Sequence, residues 1–109
     1  MENLKNVDQE KLAAAVKNGK TVVEFSAPWC SECRFLLPAW PIIEEDLSEY
    51  KFISVDHDTS EDLMKEMHIK GMPSFIVYEN GKEKGRLVNG KKKTKTEVEE
   101  FVRSTETND

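Results

Sequence analysis

Apolar residues occur in two kinds of short run that alternate along the chain. Thr21-Val22-Val23-Glu24-Phe25, Phe52-Ile53-Ser54-Val55 and Ser74-Phe75-Ile76-Val77-Tyr78 are compact and rich in β-branched and aromatic residues, which predicts buried strands. Between them the spacing widens to the helical period. Leu12 and Val16 form one stripe, opened by Asn6 or Asp8 as cap and ended by Gly19. Arg34-Phe35-Leu36-Leu37 continues through Trp40, Ile43 and Leu47 as a second, and Thr59 or Ser60 opens a third with Leu63, Met64 and Met67. Gly71-Met72-Pro73 breaks that helix before the third strand. Asn80-Gly81 is a hairpin turn, so a fourth strand near Lys84 to Val88 should run antiparallel to the third. Thr94-Lys95-Thr96-Glu97 is a capping box for a last helix through Val98, Phe101 and Val102. The order predicts an α/β fold, a central mixed sheet with helices on both faces.

Length confines this pattern to one domain, since 109 residues support a single core. Residues 1–5 and 104–109 are expected to fray at its ends. Hydrophobic residues at 38% are enough for a packed interior, and the mean hydropathy of -0.63 implies a wet surface. No apolar run approaches the roughly 20 residues of a membrane span. Residues Met1 to Lys5 lack the apolar segment of a secretory leader, so the expected compartment is the cytoplasm.

Charge is uneven: the net value is -5, yet Lys82, Lys84, Arg86, Lys91, Lys92, Lys93 and Lys95 crowd one segment against Glu83 alone. The segment lacks interleaved aromatics, and the acidic remainder would repel phosphates, so nucleic acid is not an expected partner. A hairpin edge kept soluble by lysines accounts for it.

Cys30 and Cys33 are the only cysteines, three apart, and sit where the first buried strand hands over to a helix. Zinc would need further ligands, and His57 and His68 are the only histidines, well separated and read as surface or packing residues. At a helix N-terminus, unpaired N–H groups favour a Cys30 thiolate, with Cys33 nearly one turn along the same face. Met64 and Met67 read as core filling.

Phe25-Ser26-Ala27-Pro28-Trp29-Cys30-Ser31-Glu32-Cys33, Pro38 in the following helix, Ile69-Lys70-Gly71-Met72-Pro73-Ser74 and the Asn80-Gly81 hairpin together resemble the thioredoxin family, over roughly Leu12 to Val102. The resemblance implies the thioredoxin fold, with the family's N-terminal strand short or missing here. It also implies a protein-disulfide reductase working by dithiol–disulfide exchange without a bound cofactor. Carried over by position, Cys30 is the exposed attacking cysteine and Cys33 the buried resolving one. Trp29 covers the site, Pro73 is the cis-proline facing the disulfide, and the Met72 backbone pairs with an extended substrate. Glu24 falls at the buried acid beneath the resolving thiol, and Pro38 at the proline that kinks the helix.

Departures from the family pattern are equally specific. Ser31-Glu32 stands where thioredoxin proper has Gly-Pro, Pro41 adds a second helix proline, and Glu24 replaces the usual Asp. Phe52 is read at the place of a lysine common near that acid, with Lys51 adjacent. The implied partners are disulfide-containing protein substrates and a flavin-dependent thioredoxin reductase as electron donor, with the chain acting as a monomer and not at a membrane. Two other readings stay open: a non-catalytic adaptor using the fold as a binding platform, and a metal or cluster carrier using Cys30 and Cys33 across a dimer.

Overall fold

The computed structural model describes residues 1–107. Five strands form one mixed sheet in the order β1-β3-β2-β4-β5: β1 (Glu2–Leu4), β2 (Lys20–Ser26), β3 (Lys51–Asp56), β4 (Ser74–Glu79) and β5 (Lys82–Leu87). β1 and β2 both pair parallel with β3, while β4 pairs antiparallel with β2 and with β5. The helices are α1 (Gln9–Ala15), α2 (Ser31–Leu36), α3 (Trp40–Asp46), α4 (Glu61–Glu66) and α5 (Lys95–Ser104).

Strand alternation divides the interior in two. Val23, Phe25, Ile53, Val55 and Ile76 pack with Leu12, Val16, Leu63 and Met64 on one face. Val22, Phe52, Phe75 and Val77 pack on the other with Leu36, Trp40, Ile43, Val98 and Val102. Phe25 and Phe75 are both wholly buried, and such a side chain contributes about 1.5–3 kcal/mol relative to leaving it in water.

Several expectations need correction. The N-terminal strand expected to be short or missing is short but present: β1 stands in register with Ile53, Ser54 and Val55. Asp8, not Asn6, caps α1, accepting the Lys11 N–H at 2.8 Å. That helix ends at Ala15, before Gly19, whose φ of +74° instead turns the chain into β2. Ser60 precedes α4 without capping it, because its hydroxyl accepts the Val7 N–H. The helix after Cys33 is not continuous. Pro38 and Pro41 each remove a donor, so α2 gives way to a 3-10 turn over Leu37–Ala39 before α3 begins.

At the C-terminal end Thr105 is buried, and Glu106 accepts from Tyr50 Oη at 2.7 Å and pairs with Arg103 at 2.8 Å. Residues 108–109 of the expected frayed tail lie outside the described residues. Elsewhere the pattern holds: Thr94 and Glu97 complete the capping box of α5, and Asn80 and Gly81 both adopt positive φ between β4 and β5. Among the described residues no helix is long and apolar enough to cross a membrane.

Candidate functional site

The C-terminal end of β2 delivers Ala27, Pro28 and Trp29 to the start of α2, and Cys30 is the N-cap residue of that helix. Its sulfur accepts the Cys33 N–H at 3.2 Å, so the thiol of a reduced Cys30 would meet a donor that favours the thiolate. Cys30 and Cys33 form a disulfide with Cα atoms 5.3 Å apart. Both are buried, which corrects the expectation of an exposed Cys30: in the disulfide its sulfur is covered by packing with Ala27 and Met72. The Met72–Pro73 bond is cis, and the Met72 carbonyl oxygen lies 3.9 Å from the Cys30 sulfur. Four sequence-predicted residues, Cys30, Cys33, Met72 and Pro73, are thus brought together.

Glu24 lies below them. It is only 4% exposed, in a strand whose neighbours Val23 and Phe25 face the opposite core. Burial pushes its carboxyl up to about 7, against the opposing pull of hydrogen bonds from Ser54 and Ser26. Ser54 Oγ donates to Glu24 Oε1 at 3.2 Å, and the Ser54 and Ser26 hydroxyls are 2.9 Å apart. Register explains this trio and corrects the sequence reading: Ser54, not Phe52, stands opposite Glu24, while Phe52 pairs with Val22 deeper in the sheet. Lys51 is also elsewhere, its ammonium donating to the Ala15 carbonyl. Glu24, Ser26, Ser54 and Cys33 line one cleft of about 420 Å³, which reaches the surface beside Lys5 and Arg34. The acid therefore shares a solvent-connected space with Cys33.

Trp29 is 59% exposed beside Cys30, which excludes a core-filling role. Its indole N–H donates to Asp58 Oδ1 at 2.9 Å, and its ring meets His57 edge-on with centroids 5.6 Å apart. His57 Nδ1 lies 3.0 Å from the same Asp58 oxygen. These bonds, His57 first and Trp29 second, hold the Asp58 carboxyl below its ordinary range. Sequence reasoning missed Asp58 and treated His57 as unremarkable. The available signal was topological: β2 and β3 are parallel neighbours, so residues just past Asp56 must emerge beside those just past Ser26. Asp58→Ala is expected to release the indole, seen as increased acrylamide quenching of exposed tryptophan fluorescence. Trp40 is buried and should not respond.

A mixed sheet that presents a Cys-x-x-Cys disulfide at the start of a helix, faced by a cis-proline, defines a thiol–disulfide oxidoreductase. The family model described as Thioredoxin matches residues 3–104, and the chain belongs to the thioredoxin family. It is 36% identical over 92 residues to thioredoxin Asp f 28 of Aspergillus fumigatus, covering 84% of this chain and 82% of that one. Identity to the thioredoxin of Callithrix jacchus is 34% over 99 residues, or 90% and 93% of the two chains. Among solved structures, Fasciola hepatica thioredoxin superposes with a TM-score of 0.77 at 29% identity, covering 96% of this chain and 99% of that one.

Proposed function

We propose that the protein reduces disulfides of protein substrates, with Cys30 as attacking and Cys33 as resolving thiol. The Cys30 thiolate attacks one sulfur of the substrate disulfide; a Cys30–substrate bond forms, and the first substrate thiolate leaves and takes a proton. Cys33 then passes its proton to the Glu24 carboxylate and attacks the Cys30 sulfur. The Cys30–Cys33 bond closes and the second substrate thiolate leaves. Two electrons pass to substrate, and two must be returned by a dithiol donor. The family resemblance supports a flavin-dependent thioredoxin reductase for that step and a reducing compartment, the cytoplasm, for the cycle.

The observation that carries this reading is the asymmetry around the two sulfurs. Cys30 caps α2 beside the exposed Trp29, whereas Cys33 lines the cleft that contains Glu24. Attack and resolution thereby have separate surroundings. Trp29 covers the reacting bond, and the Met72 backbone beside Pro73 offers an edge to an extended substrate chain.

The test is reduction of insulin with dithiothreitol as electron source, followed by turbidity. The protein should accelerate precipitation well beyond dithiothreitol alone. A rate equal to that background would favour the adaptor reading.

A further inference from the structure

The lysine-rich segment is not merely a solvated hairpin edge. Its central part, residues 88–94, leaves β5 and runs beside the cis-proline segment. A side chain at Gly71 would collide with the backbone of Asn89 and Gly90, so the two segments are in close contact. Ser74 Oγ ties them further, donating to the Gly71 carbonyl at 2.6 Å and approaching that of Asn89 at 3.4 Å.

Lys93, counted by sequence among the solvated lysines, is only 2% exposed. Its ammonium donates to the Asn89 carbonyl at 3.3 Å, to Asn89 Oδ1 at 2.8 Å and to the Lys91 carbonyl at 2.6 Å. The Lys91 N–H donates to Asn89 Oδ1 at 3.0 Å as well. A buried cation with all three protons engaged sets the course of the loop. The two lysines before it are consequently held outward: Lys91 and Lys92 are exposed, and neither is ion-paired among the described residues. Lys92 Nζ lies 4.6 Å from the ring centroid of Phe35, two residues beyond Cys33 on α2. Lys70 is exposed next to Gly71 on the same side. Asp58 and Glu61 flank His57 beyond Trp29, so acids gather on that side and lysines on this one.

We propose that Lys91 and Lys92 form a cationic rim that selects protein disulfides carrying Asp or Glu next to the reacting cysteine. The inference rests on the reductase reading and extends it to a substrate class. Charge complementarity carries it: an otherwise acidic protein places two ammonium groups that no carboxylate neutralises, among the described residues, on a loop against its cis-proline segment and active-site helix. Phe35, 50% exposed, supplies apolar surface under the rim.

The test measures oxidation of the fully reduced protein in single turnover by three disulfide peptides, alike except for Asp, Ser or Lys beside the cystine. At low salt the Asp peptide should react about five-fold faster than the Lys peptide, and the difference should shrink at high salt. Lys91→Glu with Lys92→Glu should reverse the order, and Lys91→Gln with Lys92→Gln should abolish it, which covers a folding defect in the reversal. Lys17→Glu with Lys82→Glu changes net charge equally, but near the opposite end of the sheet, where Gly81 bonds the Val16 carbonyl. That variant should keep the native order. Equal rates for the three peptides, or equal effects of the two reversals, would overturn the proposal. If no peptide oxidises the protein, the reductase reading fails separately. Peptide affinities then decide the rim: tighter binding of the Asp peptide supports it, and equal binding overturns it.

Discussion

Cys30→Ser is expected to remove disulfide reduction altogether, whereas Cys33→Ser should still attack substrates and then hold them as mixed disulfides. The difference follows from reach. With Cys33 present, the resolving sulfur is one helical turn from the attacked one, at a Cα separation of 5.3 Å. Such an intramolecular thiol acts at an effective concentration far above any free thiol in solution. Without it, release of substrate waits for an external thiol, slowing resolution on the order of 10³-fold or more at millimolar thiol. Attack itself should persist in Cys33→Ser, because the Cys33 backbone N–H that bonds the Cys30 sulfur survives the substitution. Mass spectrometry after exposure to a disulfide substrate should find a stable adduct on Cys30 in one variant and none on Cys33 in the other. Adducts accumulating on Cys33 of Cys30→Ser would reverse the assignment.

Features confined to one stretch of chain were readable in advance. The three buried strands announced themselves by composition, and the hairpin by Asn80-Gly81, because positive φ at successive residues suits few other pairs. Glu24 is placed inward by the family resemblance of the strand it sits in, and its burial at 4% exposure agrees. What could not be read is what depends on register or on a partner strand. Glu2-Asn3-Leu4 has no strand signature and becomes β1 only through β3. Phe52 takes the place of the family's lysine in linear order, yet the parallel register brings Ser54 opposite the acid. Asp58 touches Trp29 across 29 residues of sequence. Lys93 looked like its neighbours because burial of a lysine depends on three acceptors that only the folded loop supplies. The break after Leu36 lay between these cases: Pro38 and Pro41 signalled a bend, but the bend becomes two helices joined by a 3-10 turn.

Glu24→Gln should raise stability at alkaline pH and slow resolution more than attack. The carboxyl stands near 7 in the folded protein against 4.5 for the exposed group, so the folded state binds more protons than the unfolded state between those values. Stability of the native protein therefore falls as pH rises through that window, and the full penalty is present above pH 7. Its size is roughly 3 kcal/mol, at about 1.4 kcal/mol for each tenfold change in proton affinity. Gln keeps an acceptor for the Ser54 hydroxyl and adds no charge, so the variant avoids the penalty without leaving Ser54 unpaired. Denaturant unfolding should show little difference between the two proteins near pH 4 and an advantage of up to about 3 kcal/mol for the variant at pH 8. The same ionisation supplies the base for Cys33: resolution in the native protein should quicken as pH rises toward 7, and that limb of the profile should disappear in Glu24→Gln. Attack by Cys30 does not require the Glu24 base and should change less. A stability gain independent of pH, or equal slowing of both steps, would show that Glu24 is not the group titrating beside Cys33.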